Sequence, residues 1–194
     1  ARSGPVEFDG KMYQMPNKGQ GTTGLGKPLK SILSAQPDIP IYTASITPAG
    51  LRCAGEVADG VFPVWMDPNK YAVLGEHLEA GFATAGNGKG LKDFDIAPFV
   101  SVVLNDDLDS AFDALRPWIA LYIGGMGAKG KNFYHDYATA LGYGDVAGRI
   151  QDLYLAGQKT EAEALVPNSL LDEVSLIGSK ERIIERLGPW KEAG

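Results

Sequence analysis

The sequence predicts an α/β protein, an arc of parallel strands each followed by helix. Three observations carry this. Apolar runs at 39–44, 61–65 and 96–104 alternate with stretches of helical periodicity. The first two runs enclose one short helix, so strand, helix and strand fit within residues 39–65 as a tight βαβ unit with a right-handed crossover. From residue 131 onward the pattern is helical throughout. Three parallel strands alone would leave both edges exposed. An arc of a (β/α)8 barrel, a fold of roughly 250 residues, answers that best. A small open sheet is the competing reading.

The elements follow in order. PVEFDGKMYQM at 5–15 predicts a hairpin, with Asp9-Gly10 as a two-residue turn between Val6-Glu7-Phe8 and Lys11-Met12-Tyr13. Residues 16–31 are rich in Gly, Thr, Pro and Lys and predict a surface loop. Ile39–Ala44 reads as a buried strand. Thr47 suits an N-cap and Pro48 the first helical position, and Leu51, Ala54 and Ala58 form the buried stripe. Asp59-Gly60 ends that helix, and Val61–Trp65 is the second strand. A helix over about 68–85 carries Tyr71, Leu74, Leu78 and Phe82 at helical spacing. Ile96–Leu104 is the third strand, and Asn105-Asp106-Asp107 caps a helix running to about Ile123. Helices are then expected at about 131–141, 144–156, 159–165, 168–174 and 179–192.

The 194 residues, 44% of them apolar, are enough for a single domain spanning 1–194. A net charge of −6 and a pI near 4.9, without any Lys/Arg stripe, exclude nucleic acid and anionic membrane as partners. Cys53 is the lone cysteine, which leaves no disulfide framework or thiolate metal site and fits a reducing cytoplasm. His77 and His135 offer too few imidazoles for a metal centre, and no metal ligands are assigned. No apolar run is long enough to span a bilayer.

Several motifs compete for function. GTTGLGK at 21–27 has phosphate-loop spacing, but Pro28 stands where the loop needs Ser or Thr, and no buried strand precedes it. The corner TASITP is better placed, at the C-terminal end of a parallel strand and the start of a helix, where α/β folds bind ligands and free N–H groups attract anions. It reads equally as a turn with a capped helix. GGMGAKGK at 124–131 reads as a helix connection. Cys53 reads as a small core residue, and neither histidine shows a partner constellation.

Taken together, the segments resemble the luciferase-like monooxygenase superfamily, in its actinobacterial branch dependent on the deazaflavin coenzyme F-420. IPIYTASITPAGLRCAGEVADGVF resembles the fifth strand, turn, helix and sixth strand of that family. IAPFVSVVLNDDLDSAFDALRPWIALYIGGMG resembles its seventh strand and following helix, and NFYHDYATALGYGDVAGRIQDLYLAGQKTEAEALVPNSLLDEVSLIGSKERIIERL the region leading to the eighth. EFDGKMYQM matches a family insertion, so the likeness covers nearly the whole chain.

The resemblance implies a partial (β/α)8 TIM barrel, strands five to seven with their helices, with the N-terminal half absent and the chain stopping before the eighth strand. It implies an oxidoreductase that passes a hydride between the deazaflavin and a small organic substrate, in a cytoplasmic homodimer. FMN is the alternative cofactor, in a luciferase-like monooxygenase, and a catalytically incompetent fragment or binding module is the other alternative. Ala44, Ser45, Ile46 and Thr47 match positions lining the ring edge and phosphate side of the coenzyme. Val61, Phe62 and Pro63 match positions approaching it at the end of the sixth strand. Thr47-Pro48 replaces a frequent Gly-Pro. No catalytic residue is implied, because the family's acid/base groups come from strands one to four.

Overall fold

Strand pairing brings the ends of two separate chain segments side by side. In the computed structural model, which describes residues 6–22, 26–28, 36 and 38–192, β3 (Tyr42–Ala44) and β4 (Gly60–Phe62) run parallel, with Ala44 opposite Phe62. Asp59 fixes the register: its carboxylate accepts from the Ile41 N–H at 2.8 Å, and its own N–H donates to the Ile41 carbonyl at 2.8 Å. Residues group into two units, Ala1–Ile39 and Pro40–Gly194. The first contains the hairpin of β1 (Phe8–Asp9) and β2 (Gln14–Met15). Its turn differs from the expected Asp9-Gly10 pair. Asp9 faces Gln14, and the Gly10 N–H donates to the Tyr13 carbonyl at 2.9 Å, so four residues make the connection. The 21–27 motif lies partly outside the described residues.

The first strand of the second unit is shorter and wetter than expected. Ile39 and Ile41 are exposed and Tyr42 and Thr43 half-buried, so the segment is not buried on both faces. The helix α1 (Pro48–Val57) follows, and Leu51, Ala54 and Ala58 are buried as the stripe predicted. It packs on α2 (Ala72–Ala85), whose Leu74, Leu78 and Phe82 are buried. The two backbones touch: a Cβ on Gly55 would lie 2.5 Å from the Leu78 carbonyl oxygen, and one on Gly81 2.9 Å from the Glu56 nitrogen. Cys53 is exposed and not a core residue, because it falls off the Leu51, Ala54, Ala58 face.

The third run is one chain segment with two neighbours. β5 (Asp95–Ile96) pairs with β4, and the Ala97 and Phe99 N–H groups continue along it to Val61 and Pro63. Beyond Val100 the segment becomes β6 (Ser101–Leu104), which pairs instead with β7 (Ser175–Gly178). The expected single strand over 96–104 is thus broken around Pro98 and Phe99. β7 corrects the expectation of unbroken helix after residue 131. Four buried residues, Ser175 to Gly178, form a further parallel strand beyond the three that the sequence predicted.

Asp107 caps α3 (Leu108–Asp113), and α4 (Arg116–Gly125) starts anew at Arg116-Pro117, so the expected single helix is two. α5 (Phe133–Ala138) runs into a π-helical turn over Thr139–Tyr143, followed by α6 (Gly144–Leu155), α7 (Lys159–Ala164), α8 (Asn168–Glu173) and, after β7, α9 (Lys180–Glu192). Ile119, Ile123, Ile150, Leu170, Leu171 and Ile177 join this helical part into the core shared with α1 and α2. On the other side of the strands, Phe62, Phe99, Val102 and Leu104 form an apolar sheet face that is exposed among the described residues.

Candidate functional site

At the C-terminal end of β3 the chain turns through Ser45, Ile46 and Thr47 into α1. Thr47 is extended, and its Oγ1 accepts from the Gly50 N–H at 3.2 Å while its carbonyl accepts from Leu51 at 2.8 Å. Pro48 supplies no N–H. The first turn of α1 contains no acidic residue, so the positive helix end is not neutralised from within. Gly50 keeps the turn open: a Cβ there would meet Ser45 Oγ at 2.6 Å and Thr47 Oγ1 at 2.9 Å. Two hydroxyls therefore crowd over a helix start, in space that only glycine leaves.

This corner forms one wall of a cavity of about 300 Å³, lined by Ala44, Ser45, Ile46, Thr47, Phe62, Val64, Phe133 and Tyr134. Five of the predicted residues, Ala44 to Thr47 and Phe62, share it. Val61 and Pro63 do not. Strand side chains alternate, so Val61 and Pro63 are buried on the opposite side from Phe62, and Val61 belongs to the core. Pro63 contributes its carbonyl to the Phe99 N–H at 2.9 Å.

Sequence reasoning missed Val64, Phe133 and Tyr134. The available signal for the last two was an aromatic pair directly after a glycine-rich connection. Asn132 positions them. Its amide oxygen caps α5, accepting from Tyr134 and His135 at 3.0 and 3.3 Å, and its amide nitrogen donates to the Tyr122 and Ile123 carbonyls at 3.0 and 2.8 Å. Trp65 supports α5 from below. Its ring lies 5.3 Å from Tyr134, 5.9 Å from Trp118 and 6.0 Å from Tyr122, and its carbonyl accepts from the Tyr137 hydroxyl at 3.2 Å. Its φ of 51° is unusual for a bulky side chain. Burial pushes the Tyr137 hydroxyl well above its ordinary range, and the nearby Asp67 charge adds to this. Burial raises Tyr134 in the same direction.

A second cavity of about 250 Å³ shares Ile46, Thr47 and Phe133 with the first, and His77, Asp136 and Tyr137 also line it. The fold therefore places His77 of α2 and Asp136 of α5 on one cavity, a pairing invisible in sequence. His135 points its Nδ1 toward Asp136 at 3.5 Å. In the glycine-rich connection, Lys129 pairs with Asp152 of α6. Among the described residues no cluster suits a metal ion, and no helix is long and apolar enough to cross a membrane.

The first cavity offers an apolar, aromatic slot ended by two hydroxyls and a helix N-terminus. Such an arrangement suits the edge of a flat ring that carries an anionic group.

A family model described as luciferase-like monooxygenase matches residues 1–194. A Mycobacterium tuberculosis protein named for coenzyme F-420-dependent oxidoreductase activity is 36% identical over 195 residues, covering 100% of this chain and 56% of its own length. The 5,10-methylenetetrahydromethanopterin reductase of Methanopyrus kandleri is 27% identical, over 98% of this chain and 50% of its own. The solved structure of a coenzyme F-420-dependent tetrahydromethanopterin reductase from the same organism superposes with a TM-score of 0.66 at 26% identity, over 98% of this chain and 50% of that one. An F-420-dependent secondary alcohol dehydrogenase, solved with an F-420–acetone adduct, shares the fold at a TM-score of 0.61 and 21% identity, over 100% of this chain and 48% of that one. The chain spans about half the length of the relatives it matches.

Proposed function

Because the chain belongs to the luciferase-like monooxygenase family, we propose that it is part of an oxidoreductase using coenzyme F-420 to move a hydride to or from a small organic substrate. The single observation carrying this is the Ser45–Thr47 corner, which shares one cavity with Phe62 and is held open by Gly50. The residues fit the group. When bound, the deazaflavin ring supplies the hydride-carrying carbon. Thr47, Ser45 and the free end of α1 would hold its phosphate side. Ala44, Ile46, Phe62 and Val64 would lie along the ring edge, and Phe133 and Tyr134 would exclude water. The predicted Val61 and Pro63 would act from behind, by setting the course of β4.

These residues make one wall. The apolar face of Phe62, Phe99, Val102 and Leu104, exposed among the described residues, supports reading them as the inner side of part of a (β/α)8 barrel. On this reading β3, β4 and the run 95–104 are the expected strands five to seven, β7 is the eighth that the sequence expectation placed beyond the chain, and the acid/base groups belong to strands one to four. Residues 1–194 alone would then be inactive, and the whole enzyme would be a cytoplasmic homodimer.

The test is fluorescence titration of the intact protein with coenzyme F-420 and with FMN. Micromolar or tighter binding of F-420, with weaker binding of FMN, is the expected result. Binding of neither overturns the reading, and binding of FMN alone replaces it with a flavin monooxygenase.

A further inference from the structure

Tyr134 is held more firmly than a residue that only shields a cavity requires. Its ring centroid lies 5.3 Å from that of Trp65, 4.6 Å from Tyr122 and 4.4 Å from Phe133, so three aromatic neighbours fix its orientation. Its N–H donates to the Asn132 amide oxygen at 3.0 Å, which ties the backbone as well. The hydroxyl at the end of this clamped ring is free. Among the described residues it makes no hydrogen bond, and it is not sealed from solvent, unlike the Trp65 Nε1 and the Tyr71 hydroxyl, which are buried without partners. Burial raises the Tyr134 hydroxyl above its ordinary range, and Tyr122 adds to this, so it stays protonated and able to donate at neutral pH.

Tyr134 lines the first cavity together with Phe62, Val64 and Phe133, none of which carries a side-chain donor. The other hydroxyls of the lining belong to Ser45 and Thr47, and the Thr47 oxygen already accepts from Gly50. A flat ring entering this slot gives up water from any carbonyl on its edge, and that acceptor needs a replacement donor. Resting on the coenzyme reading, we infer that the Tyr134 hydroxyl donates a hydrogen bond to a carbonyl oxygen on the ring of the bound deazaflavin. Tyr134 is then a coenzyme-binding residue as well as a shield against water. Its aromatic clamp sets the donor in place beforehand, so little rotamer freedom is lost when the ring arrives.

Two variants of the intact protein test this. Tyr134→Phe keeps the clamped ring and removes only the hydroxyl, and Tyr122→Phe does the same for a neighbour outside the cavity lining. Wild type and both variants are titrated with coenzyme F-420, with fluorescence reporting affinity and the visible absorption band reporting the surroundings of the bound ring. Tyr134→Phe should bind F-420 about three- to tenfold more weakly, the worth of one hydrogen bond. It should also shift the absorption band, because a donor at a ring carbonyl perturbs the chromophore. Tyr122→Phe should leave both unchanged. If wild type binds F-420 and Tyr134→Phe alters neither affinity nor band, the inference falls while the coenzyme reading stands. A loss of affinity without a band shift, or equal losses in the two variants, assigns Tyr134 to packing alone and overturns it too. Absence of F-420 binding by the wild type overturns the coenzyme reading and the inference with it.

Discussion

Gly50 and Ser45 exclude one another's growth: a Cβ on Gly50 would lie 2.6 Å from the Ser45 hydroxyl oxygen. In an ordinary helix, alanine is better than glycine by about 0.5–1 kcal/mol. Here that gain is offset by crowding of the Ser45 hydroxyl and, at 2.9 Å, of the Thr47 cap oxygen. Gly50→Ala should therefore leave thermal stability almost unchanged while turning the Ser45 hydroxyl away and weakening coenzyme binding about tenfold. Parallel melting curves and titrations separate the two effects.

Thr47→Ala removes the N-cap of α1, whose Oγ1 accepts from Gly50 at 3.2 Å. The loss should be about 1 kcal/mol in urea denaturation. Thr47→Ser, which keeps the oxygen, should restore most of it.

Cys53 should react with a thiol reagent in the native state at a rate near that of the unfolded chain, because it is exposed. Cys53→Ser should alter stability by less than about 0.5 kcal/mol. Burial as the sequence predicted would have required a locked thiol and a measurable cost.

The contrast shows what the sequence could carry. The stripe Leu51, Ala54, Ala58 was legible because helical periodicity alone defines a buried face. Cys53 was misread because residue type was allowed to overrule position on that same helix. β7 was missed for a different reason. Four residues between two helices are too few to show a period, and a strand buried on both faces has no alternation to display. The corner Ala44–Thr47 was visible because strand end, cap and Pro48 are consecutive. Phe133, Tyr134 and the Trp65 cluster were not, since their meeting depends on packing between α4, α5 and β4 that no local pattern encodes.

Alkaline stability follows from two groups. Tyr137 is held above its ordinary range by burial and then by Asp67. Burial alone would lower Lys70, but the hydrogen bond and charge of Glu173 outweigh it and raise the ammonium. A raised folded-state value gives stability that is fully present below the unfolded value and is lost as pH rises through the folded one. Urea midpoints should thus fall above about pH 10. Tyr137→Phe should cost about 1 kcal/mol at pH 8, for the lost bond to Trp65, and should flatten the alkaline decline.

Asn132→Asp keeps the acceptor for α5 but loses both donors and puts a charge where the residue is 2% exposed. A loss of about 2–4 kcal/mol is expected, from two orphaned carbonyls and a buried charge. Circular dichroism melts would report it, and an unchanged midpoint would show that the connection itself holds α5.

That amide has a wider consequence. Asn132 joins the end of α4 directly to the start of α5, while Gly127 lies against it so closely that a Cβ there would come within 3.0 Å of Asn132 Cα. With Gly127 kept against Asn132, the tip of the connection is the part that can change length, by insertion or by grafting another loop, with least effect on the aromatic wall. An engineer could lengthen it into a new lid, and the slot beneath would keep its shape.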